Sequence, residues 1–208
     1  MSYYVSVEPP RKIHFSKKEI QDLLVSMLVI TFAFAFALSG YGLMYIDWAL
    51  FPTALLISVF AVATGFILHE LGHKFVANKY GAWAEFRAWP QGLMMALIFA
   101  LMVGVVWAAP GAVYIGGNIT REQNGKISLA GPINNLIFAT IFFPLIFIAK
   151  GIYFDIVFYV YFINAFLAVF NLLPIMPLDG AKVANWNIPV YILFLAVSIA
   201  LLVPGFIL

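Results

Sequence analysis

The stretch Phe66-Ile67-Leu68-His69-Glu70-Leu71-Gly72-His73-Lys74 decides how this chain is read. It lies inside an apolar segment, 50–76, long enough to cross a bilayer. On a helix, residues four apart share a face, so His69 and His73 can grip one metal ion. Glu70 follows the first imidazole and can hold a water on that metal and take its proton. An ionisable group inside hydrocarbon costs roughly 2.5–3.5 kcal/mol on insertion scales. A Glu beside two His is therefore unfavourable there unless a metal or partner compensates it. With 3 His and 5 Glu in 208 residues, chance produces the motif in about one such chain in a thousand.

Composition sets the class. The chain is 64% hydrophobic and 10% charged, against about 25% charged in an ordinary soluble domain. Mean hydropathy is +1.02. These values describe an all-α polytopic membrane protein, read as one unit, 1–208, in the cell membrane. The net charge of +2 gives no footprint for nucleic acid. Cys is absent, so there is no disulfide framework and no thiolate metal site. A zinc ion must then use His, Asp or Glu. The third histidine, His14, belongs to a polar arm, 1–20, so the remaining ligand is expected to be a carboxylate. No cleavable signal peptide is expected, because Arg11, Lys12, Lys17 and Lys18 precede an apolar run longer than a signal core.

About six apolar segments stand out, near 21–38, 50–77, 91–108, 128–149, 152–173 and 188–207. Pro52 suits the first turn of the second, and Gly81 suits its end. The basic N-terminal arm is expected in the cytoplasm. If 91–108 crosses fully, Arg121, Lys126 and Asp179 fall on the far side from His69. If 91–119 instead dips in and returns, ten of the 11 basic residues are cytoplasmic and only Lys150 is outside. That distribution fits the positive-inside rule far better. The stretch 109–117 is Gly-rich, too short to span as helix, and suited to return as extended chain. A small re-entrant or β element is therefore expected between the second and fourth segments. Irregular backbone at that depth is allowed only where protein or water covers it.

Asp179 is the expected third ligand. It ends Asn171-Leu172-Leu173-Pro174-Ile175-Met176-Pro177-Leu178-Asp179-Gly180, directly after the fifth apolar segment. The two prolines interrupt the helix and free backbone to aim a ligand. Asp-Gly is also a common turn pair, but ligand types are scarce here. Asp155 falls near the opposite face, and Glu85 and Glu122 have basic neighbours and read as interfacial charges. Asn135, in Gly131-Pro132-Ile133-Asn134-Asn135, can bond a neighbouring helix or hold substrate backbone or an oxyanion. Asn171 carries the same two readings, with capping of the broken helix end favoured. Gly65 and Gly72, seven apart, read as close helix packing.

Taken together, His69-Glu-Leu-Gly-His73, Gly131-Pro-x-x-Asn135 and Asn171-x-x-Pro-x-x-Pro-Leu-Asp179-Gly180 resemble the site-2 protease family of intramembrane zinc metalloproteases in order and spacing. The resemblance covers about 50–185, the expected catalytic core. It implies one zinc per chain held by His69, His73 and Asp179, with Glu70 as the general base. It also implies a membrane-embedded sheet, here within 81–119, that receives unwound substrate. The chain departs from the family pattern at Ala181, where many relatives have a second glycine, and in the length of 91–108. No stretch is long and polar enough for a PDZ or CBS domain, so a short form is expected.

The expected function is hydrolysis of peptide bonds in or near transmembrane segments, on membrane-protein substrates whose helix can unwind within the lipid bilayer. The rival is a non-proteolytic zinc-binding membrane protein, a transporter or scaffold. Such a protein has no use for a base beside the first ligand. A second rival is a metal-dependent enzyme acting on lipid or prenyl substrates.

Overall fold

The structure is a computed structural model that describes residues 13–40, 45–106 and 110–208. Most of the polar arm (1–12), and Ala109 of the Gly-rich stretch, lie outside the described residues.

Helix α1 (Lys17–Ser39) is capped by Ser16, whose hydroxyl accepts the Glu19 N–H at 3.1 Å. Residues 17–20, assigned to the arm from sequence, are its first turn. The second span, Phe51–Lys79, is built in three parts. Helix α2 (Phe51–Val62) carries Pro52 in its first turn, a π-helical turn covers Ala63–Ile67, and α3 (Leu68–Lys79) follows. Gly81, at φ 76°, takes the left-handed conformation that ends the helix. Then come β1 (Trp83–Ala88), α4 (Pro90–Val103), β2 (Gly111–Gly116), α5 (Arg121–Leu145), α6 (Ile152–Asn171), α7 (Asp179–Trp186) and α8 (Ile188–Leu202).

Five of these helical stretches are long and apolar enough to cross a membrane. The chain is an all-α polytopic membrane protein with one small sheet. The remaining apolar segment, the third in chain order, is α4, only 14 residues or about 21 Å, short of a full crossing. It sits between two antiparallel strands whose register runs from Trp83↔Gly116 to Ala88↔Gly111. The chain thus leaves and rejoins the bundle at one place, and the Gly-rich return is extended. Ala96 and Ala100 of α4 pack on Ala33 of α1, small residues that let two helices approach closely.

The helix of the fourth apolar segment, α5, starts earlier than expected. Thr120 and Gln123 form a capping box, with Thr120 Oγ1 accepting the Gln123 N–H and Gln123 Oε1 accepting the Thr120 N–H. Polar residues 121–126 are therefore helical, and Gly131, Pro132 and Asn135 lie mid-helix rather than at its start.

Contacts set the helix directions. Glu19 of α1 meets Lys74 of α3, His73 meets Ile127 of α5, and His73 faces Asp179 after α6. The start of α1, the end of α3, the start of α5 and the end of α6 thus share one end of the bundle. Lys17, Lys18, Lys74, Lys79, Arg121, Lys126 and Lys182 belong to that end, and Lys150 to the other. Lys74 is one of the ten basic residues counted as cytoplasmic from the sequence. It is buried, for reasons given below.

Candidate metal centre

His69 and His73 project from α3 onto α5 and α7. Their Nε2 atoms lie 3.0 Å apart, and Oδ2 of Asp179 is 3.3 Å from the first and 3.1 Å from the second. All three side chains are buried, and the three ligand atoms lie within 4.8 Å of one another. They sit about 9–15 Å in from the Lys79 end of the span, at 1.5 Å per residue.

The opposite ring nitrogens are both committed. His69 Nδ1 lies 2.6 Å from Asn135 Oδ1, and His73 Nδ1 lies 2.8 Å from the Ile127 carbonyl. A carbonyl only accepts, so His73 donates from Nδ1. For His69 the partner could in principle be turned round. Asn135 Nδ2, however, already donates to the Gly65 carbonyl at 2.9 Å and to Asn164 Oδ1 at 3.0 Å. Turning the amide would put oxygen against two oxygens. His69 therefore also donates from Nδ1. Each Nε2 then presents a lone pair, and both face a carboxylate oxygen. Three acceptors with no donor between them fit a cation, and two imidazoles with one carboxylate suit zinc.

Gly131 makes room for this arrangement. A Cβ there would lie 2.5 Å from Nε2 of both histidines. Gly180 lets the start of α7 close on the end of α6, since a Cβ would meet the Leu172 carbonyl oxygen at 2.2 Å. Gly72 and Gly65 are close-packing positions, the first against Ala130 of α5 and the second against Leu167 of α6.

Asp179 opens α7, directly after the interrupted segment. Its second oxygen, Oδ1, lies 3.5 Å from Lys182 Nζ. Glu70 is half-buried, next to His69 on α3. It stands beside the three ligand groups and makes no side-chain hydrogen bond among the described residues.

The two asparagines behave differently. Asn135 is fully buried and fully bonded, so of its two readings the contacts describe the bond to neighbouring helices. Asn171, the last residue of α6, donates to the Leu167 carbonyl at 3.0 Å, one turn back along its own helix. Glu85 and Glu122 pair with Arg87 and Lys126, and Asp155 lies in the first turn of α6, at the other end of the bundle.

Three contributors escape a reading of the sequence by motif. Asn164, alone in the apolar run of α6, supports Asn135. A lone amide in a span is itself a signal. Lys74 and Glu19 form a buried ion pair. Lys74 Nζ donates to both Glu19 oxygens at 2.9 and 2.8 Å and to the Ala84 carbonyl at 2.8 Å, and Glu19 also accepts the Phe86 N–H at 3.1 Å. The pair ties α1, α3 and β1 together one residue from His73.

No protein-family model matches the chain, and no solved structure does. Curated proteins do match. The chain is 47% identical over 176 residues to a protein of Methanocaldococcus jannaschii named a putative zinc metalloprotease, a match covering 83% of this chain and 86% of that one. It is 30% identical over 155 residues to a protein of Bacillus subtilis with the same description, covering 63% and 68%. A second Methanocaldococcus jannaschii protein, named a zinc metalloprotease, is 26% identical over 174 residues, covering 79% of this chain and 42% of that one.

Proposed function

We propose, from the premise that this chain belongs to a family of zinc metalloproteases, that it is an intramembrane protease of the site-2 type. Its cofactor is zinc. In this reading it cuts membrane proteins in or near their transmembrane segments, and the site end of the bundle faces the cytoplasm. The observation that carries the reading is the donor set itself: two Nε2 lone pairs and one carboxylate oxygen, converging beside a fourth group, Glu70, within a helix long enough to span a bilayer.

His69, His73 and Asp179 hold the zinc. Bound there, zinc would supply Lewis acidity to a peptide carbonyl and acidify water. Glu70 takes the proton from the attacking water and returns it to the leaving amine. Asn135 and the Ile127 carbonyl keep the two imidazoles in the tautomer that offers Nε2.

A helical substrate hides its carbonyls in its own hydrogen bonds and must be held extended. The sheet has two edges, and among the described residues only one is free. On β1, the outward Ala84 carbonyl and Phe86 N–H are taken by Lys74 and Glu19. Alternation along an antiparallel pair then turns the N–H and C=O groups of Val113 and Ile115 outward on β2. Among the described residues nothing bonds to them. Unpaired backbone in a membrane is costly, so this edge suits addition of an extended substrate strand. Val113 and Ile115 pack in the same cluster as Ile127, the residue that holds His73.

Glu70→Gln tests the reading. The variant is expected to keep zinc and fold while losing cleavage of a fluorescent membrane-helix substrate by 10²–10⁴-fold or more, the usual contribution of general acid–base catalysis. Near-wild-type cleavage would remove Glu70 from the mechanism, and loss of zinc would make it a ligand instead.

A further inference from the structure

We infer that Asn164 is a positioning residue for the metal centre, setting the tautomer of His69 through Asn135. The inference rests on the assignment of His69 as a ligand. Asn164 lies on α6, at 0% exposure, and does not touch either histidine. Its Nδ2 donates to the Val160 carbonyl at 2.8 Å and to Thr64 Oγ1 at 2.9 Å. Both amide protons are thus used, and Oδ1 is left to face Asn135 Nδ2 at 3.0 Å. Thr64 in turn donates to the Phe60 carbonyl at 2.9 Å. The chain of bonds therefore has one direction from Phe60 to His69, and no member can reverse alone.

Asn135 needs this support. Its amide could face His69 with oxygen or with nitrogen, and only the first leaves Nε2 unprotonated. The Gly65 carbonyl favours the observed orientation with one bond, and Asn164 adds the second. Thr64 and Gly65 both lie in the π-turn, so the irregular part of the second span supplies a partner to each of the two asparagines. Asn135 and Asn164 are both at 0% exposure, where a wrongly turned amide finds no substitute partner.

The test uses the full chain in detergent, with Asn164→Leu, Asn135→Leu and the double variant. Zinc affinity is measured by chelator competition. In the metal-free protein, ¹⁵N resonances of the His69 ring report which nitrogen carries the proton. Asn164→Leu is expected to weaken zinc by about 10–100-fold, the usual effect of losing an outer partner of a metal-bound His. The Nε2–H tautomer of His69 should become visible. The double variant should be no weaker than Asn135→Leu alone, because Asn164 acts through Asn135. If the leucine variant does not fold, Asn164→Ser removes the reach while keeping a polar group, and is read in its place. Wild-type zinc affinity and tautomer in the folded variant, or additive losses in the double variant, would overturn the inference. The ring resonances read Asn164 whether or not zinc binds His69. Full zinc binding by His69→Ala would remove the ligand assignment and leave that readout standing.

Discussion

Gly131→Ala places one methyl group against both imidazoles. The added carbon would lie 2.5 Å from each Nε2 and 2.6 Å from His69 Cε1, whereas ordinary contact begins at 3.4 Å. About 0.9 Å of movement is needed on both rings at once. Neither ring is free to give. Each is held through Nδ1 by an acceptor on α5, at 2.6 Å for His69 and 2.8 Å for His73. Gly131 is on α5 too, so withdrawing that helix drags both acceptors with it. Relief therefore costs at least one buried hydrogen bond, about 1–3 kcal/mol. At tenfold per 1.4 kcal/mol, zinc affinity should fall roughly 10–100-fold. The helix itself should not suffer, since alanine is favoured over glycine in a helix interior by about 1 kcal/mol. Chelator competition alongside thermal melting of the metal-free protein separates the two effects. The expected result is weaker zinc with a melting temperature lowered only modestly, because the helix gain offsets about 1 kcal/mol of the lost bond. Zinc affinity within twofold of wild type would refute the placement of Gly131 against both nitrogens.

Lys74→Met leaves Glu19 as an uncompensated buried carboxylate and should destabilise the protein by about 3–5 kcal/mol, while Glu19→Leu with Lys74→Met together should recover most of the loss in a thermal melt. Ile115→Pro removes an outward N–H of β2 without touching the β1 ladder. It should lower kcat/KM on a membrane-helix substrate at unchanged zinc content, and unchanged cleavage would argue against substrate addition at that edge. Because the native chain has no Cys, single cysteines at 79 and 122 should label from the same side of a sealed vesicle, and opposite labelling would contradict the return of the 81–119 excursion.

The parts of this molecule that sequence reveals are those whose chemistry is local. His69, Glu70 and His73 are set by helical spacing alone, and Asp179 by its place after two prolines in a chain poor in ligands. Pro52 and Gly81 mark their helix ends through backbone conformation. What escaped depends on partners far along the chain. Lys74 looks like any base near a membrane surface until Glu19, 55 residues earlier, is seen to enclose it. The role of Asn135 is undecided until Asn164 and Gly65 occupy its amide nitrogen. The start of α5 was legible, since Thr120-Arg121-Glu122-Gln123 has the capping-box pattern, but hydropathy alone delays that helix to residue 128. β2 was legible as an extended return, β1 only through the family resemblance, and their register was not legible, because it is fixed by packing on α1 and α3.

The π-turn at Ala63–Ile67 gives one span two angular settings. In a helix of regular winding, the side that meets lipid fixes the side that meets the metal, because each residue advances about 100°. Here the wider turn separates them. Leu56 and Phe60 face outward on the far half, while His69 and His73 face inward on the near half. Deleting one residue between 63 and 67 would restore even winding and swing one half by about a quarter turn. Either the imidazoles would leave Asp179, or the outer half would turn its apolar side chains away from the lipid. Substitutions on the lipid side can accordingly accumulate without re-aiming the ligands, whereas a change in the length of this short turn cannot.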